Sequence, residues 1–266
     1  MSGPWRRRAD APPADPRPGD VVYKLAVIVP VRTAVALLLV VSSCTTRPDW
    51  DNGTSDGSIS VADSGGDLGQ IPDYGTWPDA ELGPVVTLSV ATFNVRNLFD
   101  AHDDPKTFDD LPSAGEVDAK IAALGAALRR LDADVVALQE VENRALLERL
   151  NTEELSEQGY AHLRLVEGND ARGADVALLS RYPVPRSVSH ARETFPGVDG
   201  DTQNYGFSRD CLEVTIEPSA GRHLLLLVNH LRANDWRDPE GAIARRLAQA
   251  QRVRGIVDEL LGREPQ

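Results

Sequence analysis

Three stretches of this chain are apolar without alternation and then close on a polar side chain: VATF ends at Asn94, VVALQ at Glu140, and LLLLVN at His230. Each is too short for a buried helix. None alternates as a half-exposed strand does, so each reads as a strand covered on both faces. Such strands need helices or a second sheet over both surfaces, which makes the domain α/β. The segments between them agree. Ser113 with Glu116 three residues on forms a capping-box pattern ahead of a helix whose Ile121, Leu124, Leu128 and Leu131 fall on one face. NRALLERL reads as a second helix. A third runs from about Pro239 to Leu261, with Ile243, Leu247, Ala250, Ile256, Val257 and Leu260 as its buried stripe. AHLRLVEG, ADVALLSR, SVSHARET and DCLEVTIEP read as further strands, and the folded region begins near Val85.

A polar residue at one strand end is ordinarily a cap or turn residue. Three such ends, presenting an amide, a carboxylate and an imidazole, form a candidate site, because ligands of α/β folds gather beyond the carboxyl ends of strands. A carboxylate suits Mg²⁺, Mn²⁺ or Ca²⁺, an amide can hold a phosphate oxygen or a water, and a histidine can move a proton or donate to phosphate. Together they point to metal-assisted phosphoester chemistry. The charge balance narrows the partners. The chain carries a net charge of -13, and residues 45–84 hold eight acids against Arg47 alone. The remainder is also acidic, which excludes a broad basic face for nucleic acid but not a local basic groove.

The strings VATFNVRNLFD, DVVALQEVEN, GNDARGADVALLSRYPV and LLVNHLRAND, in that order, resemble the endonuclease/exonuclease/phosphatase superfamily. The Asp-x-Arg-Gly-x-Asp string and the later RRLAQAQ most resemble its bacterial extracellular nucleases. The resemblance, which covers Val86 to about Leu261, implies a four-layered α/β sandwich hydrolysing DNA or RNA phosphodiesters with a divalent metal, Mg²⁺ first and Mn²⁺ or Ca²⁺ as alternatives. It makes Glu140 the metal ligand, sets Asn94 beside it at metal and phosphate, and gives His230 contact with the scissile phosphate or proton transfer. Arg172 is either a phosphate contact or the partner of Asp170 or Asp175. Arg181, Arg209, Arg232 and Arg246 are further phosphate candidates, and Ala233 stands where the family often has serine. The resemblance also implies a second half with a Gly-Asp-x-Asn strand end, a metal-site Asp and a terminal Asp-His pair, none of which follows His230. The expectation is thus a truncated sandwich over residues 85–266, weak or inactive alone, baring the apolar inner face of its sheet and open to a separately encoded C-terminal half. A noncatalytic remnant or binding module on the same fold is the alternative, as is a lipid or inositol-phosphate phosphodiesterase.

The N-terminal region has a different character. Arg6 to Arg8, Lys24 and Arg32 precede TAVALLLVV, the length of a signal h-region and too short to span a bilayer as a helix. VSSC follows and resembles the lipobox of bacterial lipoproteins, which would make Cys44 the lipidated first residue of an exported, membrane-anchored chain. Residues 1–44 are then a signal peptide and 45–84 an acidic Gly/Ser/Asp-rich tether. Cys211 remains as a small core residue, without a cysteine partner in the mature chain.

Overall fold

The computed structural model describes the backbone of residues 22–29 and 35–42 and the whole of residues 86–262. Along the chain run strands β1 (Val22–Val29), β2 (Val35–Ser42) and β3 (Val86–Leu98), helix α1 (Ala114–Leu131), β4 (Val135–Val141) and α2 (Arg144–Glu154). They are followed by β5 (His162–Leu165), β6 (Asp175–Ser180), β7 (Arg186–Ser189), β8 (Thr194–Pro196), β9 (Asn204–Gly206), β10 (Cys211–Ser219), β11 (Arg222–His230) and α3 (Pro239–Gly262). A five-stranded sheet has the order β1-β3-β4-β6-β5 and a four-stranded sheet the order β2-β11-β10-β7; β8 and β9 form a small ribbon.

Three apolar clusters divide these elements into four layers. Val117, Ile121, Leu124 and Leu128 of α1 and Leu146, Leu147 and Leu150 of α2 cover the Phe93, Val136, Leu138 and Leu179 face of the first sheet. The opposite face of that sheet, with Leu88, Val90, Val135, Ala137 and Leu178, packs on Leu212, Val214, Ile216, Leu224, Leu226 and Val228 of the second. Cys211 and Leu227 on the outer side of the second sheet meet Phe195, Tyr205 and Phe207 and then Ala248, Val253 and Ile256 of α3. Strand β4 is buried at every position, as its unbroken apolar run requires. Among the described residues the expected bare inner face is therefore not found. Alternate residues of β10 and β11 supply the opposing surface, and the two sheets cover one another within residues 86–230.

Helix α1 opens on the capping box read from the sequence: Glu116 N–H donates to Ser113 Oγ, and Ser113 N–H to the Glu116 carboxylate at 2.8 Å. The C-terminal half of the expected α3 stripe holds, with Ile256 buried and Val257 and Leu260 packed against the same cluster, but its first half is rotated. Ile243 and Leu247 are half exposed and Ala250 is exposed, whereas Ala242, Ala248, Gln249, Val253 and Ile256 are buried. Gln249 sets the rotation. Its Oε1 accepts from Arg232 N–H at 2.8 Å, and its Nε2 donates to Gly206 O and Ser208 Oγ. Hydrophobicity ranked the larger side chains as buried; a fully buried amide with three partners outweighs them. SVSHARET divides into β7 and the start of β8, and β9 was not foreseen.

Strand β1 lies antiparallel to β3, and β2 parallel to β11, at the edges of their sheets. The apolar run read as a signal h-region thus supplies the backbone of β2. Cys44 and the tether 45–84 lie outside the described residues.

Candidate active site at the strand ends

The parallel pairing of β3 with β4 runs in register from Val90↔Val135 to Asn94↔Gln139 and resumes only at Leu98↔Val141. On its other side, β4 pairs with β6 at Gln139↔Val176 and again at Val141↔Asp175. Glu140 is therefore an extra residue relative to β6, whereas β3 sets its own bulge, Val95, Arg96 and Asn97, against it. The φ of Glu140 is 67°, and Arg96 and Asn97 in the facing bulge have φ of 55° and 59°. Asparagine tolerates this left-handed region; arginine and glutamate do so at a cost of about 1–3 kcal/mol each.

The bulge decides where Glu140 points. Val136 and Leu138 face the helices, whereas Val135 and Ala137 face the second sheet. Strict alternation would send Glu140 after Val136 and Leu138 into the helical layer. Instead the extra residue turns its carboxylate to the inter-sheet side, as bulges do when they re-aim a side chain. There Asn94 Nδ2 donates to Glu140 Oε1 at 3.0 Å and Asn97 N–H to Glu140 Oε2 at 3.0 Å. Arg96 N–H donates to Asn94 Oδ1 at 2.8 Å, and Lys120 of α1 pins the bulge by donating to Arg96 O.

His230 arrives from the other sheet. It continues the inward line of Leu224, Leu226 and Val228, so its ring enters the same end of the inter-sheet layer, with Nε2 3.6 Å from Glu140 Oε1. Both side chains are buried, His230 at 2% exposure and Glu140 at 7%. Burial, with the nearby Arg209 guanidinium, pushes the His230 pKa down to about 4, against the upward pull of Glu140. The imidazole is neutral at pH 7. Asn229, the other polar residue at this strand end, faces away and donates to Leu227 O at 3.3 Å.

The wall opposite is cationic. Asp170 bridges two arginines: Arg209 Nη2 lies 2.7 Å from its Oδ2, and Arg172 Nε 3.4 Å from its Oδ1. Arg172 also donates to Asn97 Oδ1 at 3.3 Å and keeps about a third of its side chain exposed. The two readings of Arg172 thus combine: it pairs with Asp170 and still presents its guanidinium beside the bulge. Asp175 takes no part in that pair; its Oδ1 accepts from Gly168 N–H at 2.8 Å, and burial raises its pKa to about 7. A cleft of 450 Å³ continues past Asp170 between the 100–107 loop, Glu142 and Asp175.

The structure brings Asn94, Glu140, His230 and Arg172 together. It removes Arg181, which donates to Asp132 and Asp134 at the opposite end of β4. Sequence reading missed the support given by Asn97 and Asp170, and it ranked Arg209 no higher than any other arginine. Cys211 is wholly buried, and burial raises its thiol pKa, as a core residue requires.

Among the described residues no group of three or more His, Cys, Asp or Glu side chains is arranged to hold a metal ion. One carboxylate oriented by two neutral donors does fit a hard cation that keeps most of its water, as Mg²⁺ does.

Residues 89–266 match the family model described as Endonuclease/Exonuclease/phosphatase family. A solved structure, the endonuclease/exonuclease/phosphatase from Beutenbergia cavernae DSM 12333, is similar at 20% identity with a TM-score of 0.38, covering 59% of this chain and 41% of that one. The present chain thus spans less than half of that protein. None of the curated proteins matches it.

Proposed function

The chain belongs to the endonuclease/exonuclease/phosphatase family, whose chemistry is hydrolysis of phosphate ester bonds, and from that premise we propose that it is an exported, metal-dependent phosphodiesterase acting on nucleic acid. The observation that carries this reading is the strained bulge. Three left-handed, non-glycine residues stand at one pair of strand ends, Arg96 and Glu140 among them at a cost in stability, and what they accomplish is the meeting of Asn94, Glu140 and His230.

Glu140 would hold the cation, with Asn94 and the Asn97 N–H fixing its carboxylate. A bound divalent ion supplies Lewis-acid polarisation of the phosphoryl oxygen and a more acidic water. Arg172 offers the guanidinium that matches two phosphate oxygens, and Asp170 holds it in place. His230, neutral and buried, can donate one hydrogen bond to the phosphate or accept a proton there without adding a fixed charge. In this proposal VSSC directs lipid attachment at Cys44, and the acidic tether sets the domain away from the membrane.

The test is cleavage of plasmid DNA and of RNA with Mg²⁺, Mn²⁺ or Ca²⁺, against the same reactions in chelator. Cleavage that requires a metal and is lost in Glu140→Gln supports the proposal; equal cleavage by the two proteins would sink it. Incorporation of labelled palmitate that disappears in Cys44→Ala tests the anchor separately.

A further inference from the structure

The loop that leaves the site from His230 carries an indole with no core to enter. Trp236 is 82% exposed, six residues beyond His230, so it lies within about 20 Å of it along the chain. The loop beneath it is well fixed. Arg232 N–H is held by the buried Gln249, Arg246 donates to Arg232 O and to Asn234 Oδ1, Arg237 N–H donates to Asp235 Oδ1, and Gly241 N–H to Asp238 Oδ1. The Arg237 guanidinium stands 4.9 Å from the centre of the Trp236 ring.

Charge separates this side of the site from the other. Residues 231–246 carry Arg232, Arg237, Arg245 and Arg246 against Asp235, Asp238 and Glu240, with Arg232 paired to Asp235 at 2.8 Å, in a chain whose net charge is -13. The loop on the far side, residues 100–112, holds Asp100, Asp103, Asp104, Asp109 and Asp110 against Lys106, so its exposed Phe108 sits where a polyanion is repelled. We infer that Trp236 is a stacking platform for an unpaired base of a single-stranded substrate, whose phosphates run from the Glu140–His230 end past Arg232 and Arg237. A fixed aromatic face beside arginines is how single strands are bound without sequence choice, each stacked base strengthening binding severalfold or more. The inference rests on the nuclease reading for its substrate but concerns a separate surface.

The experiment compares a labelled oligothymidylate with an abasic strand of equal charge, by fluorescence anisotropy on the full chain carrying Glu140→Gln so that nothing is cut. Binding about tenfold tighter for the strand with bases is expected. Trp236→Ala should abolish that difference and Trp236→Phe retain it. With Glu140 intact, Trp236→Ala should leave hydrolysis of bis(4-nitrophenyl) phosphate unchanged. Equal binding of the two strands overturns the platform, and so does uptake by phosphatidylserine vesicles that vanishes in Trp236→Ala, which would make the indole a membrane contact. Retained base preference in a chain that hydrolyses neither nucleic acid nor the small ester would instead remove the hydrolase reading and leave the platform standing.

Discussion

Two buried clusters in this molecule set a histidine among carboxylates and arginines, and they are built in opposite ways. On the outer side of the second sheet, His190 Nδ1 lies 2.6 Å from Glu193 and its Nε2 3.3 Å from Glu213. Arg252 of α3 pairs with Glu193 at 2.7 Å, Arg186 pairs with Glu213, and His190 N–H donates to Asp210 Oδ1. Its carboxylates face cations directly, and the β7–β10 pairing around it keeps regular register. At the strand ends, Glu140 is instead held by an amide and a backbone N–H, its histidine stands back at 3.6 Å, and the backbone is strained. The first arrangement ties α3 to a sheet. The second orients a carboxylate through the Asn94 amide and the Asn97 N–H, at a cost to the fold, which is the signature of a site rather than a brace.

The largest expected effect comes from removing what the strain supports. Glu140→Gln should lower phosphodiester hydrolysis about 10³-fold, on the scale of losing one preorganised charge contact. Glu140→Gly should be as inactive and yet more stable by about 1 kcal/mol, because glycine accepts a φ of 67°. Urea unfolding with parallel activity assays checks both; a destabilised Glu140→Gly would mean the bulge serves the fold. His190→Ala should do the reverse. It breaks a buried charge network and should cost about 3 kcal/mol in the same unfolding experiment, with kcat in the folded protein unchanged. A fall in kcat without loss of stability would erase the distinction between the two clusters.

How much of this was legible in the residues follows the same division. Burial on both faces was written in VVAL and LLLLV, and the α1 cap in Ser113 and Glu116, because each depends on near neighbours. The membership of Asn94, Glu140 and His230 in one site was legible as three polar strand ends, reinforced by resemblance. The direction of Glu140 was not, since alternation sends it to the helices and only the extra residue in the ladder reverses that. Nor was the rotation of the first half of α3 legible, because Gln249 finds its partners in the 206–208 and 232 backbone, distant in sequence. The expected open inner face failed for a related reason: the pairing of two sheets through Leu212, Val214 and Leu226 is a tertiary fact that a list of strands leaves undetermined.

The smallest effect distinguishes the groups within the strand-end region by the sign of their response to pH. His230 has a folded pKa of about 4 against an ordinary 6.5, so between those values the unfolded chain binds a proton the folded chain does not, and this group's contribution to stability is lost as pH falls. Asp175 is displaced the other way, from 3.8 to about 7. In that window the folded chain holds the proton, and the contribution of Asp175 is present at low pH and lost as pH rises through 7. Each slope is at most about 1.4 kcal/mol per pH unit. His230→Gln should therefore gain stability relative to the unsubstituted protein as pH drops from 6.5 to 4. Asp175→Asn, which keeps an oxygen for the Gly168 N–H, should gain relative stability as pH climbs from 4 to 7. Denaturation midpoints of the three proteins across that range give the two differences directly. If both run in the same direction, burial is not what displaces these groups, and the dry, strained end of the sandwich would have to be replaced by a wetter one that the His190 cluster resembles more than it opposes.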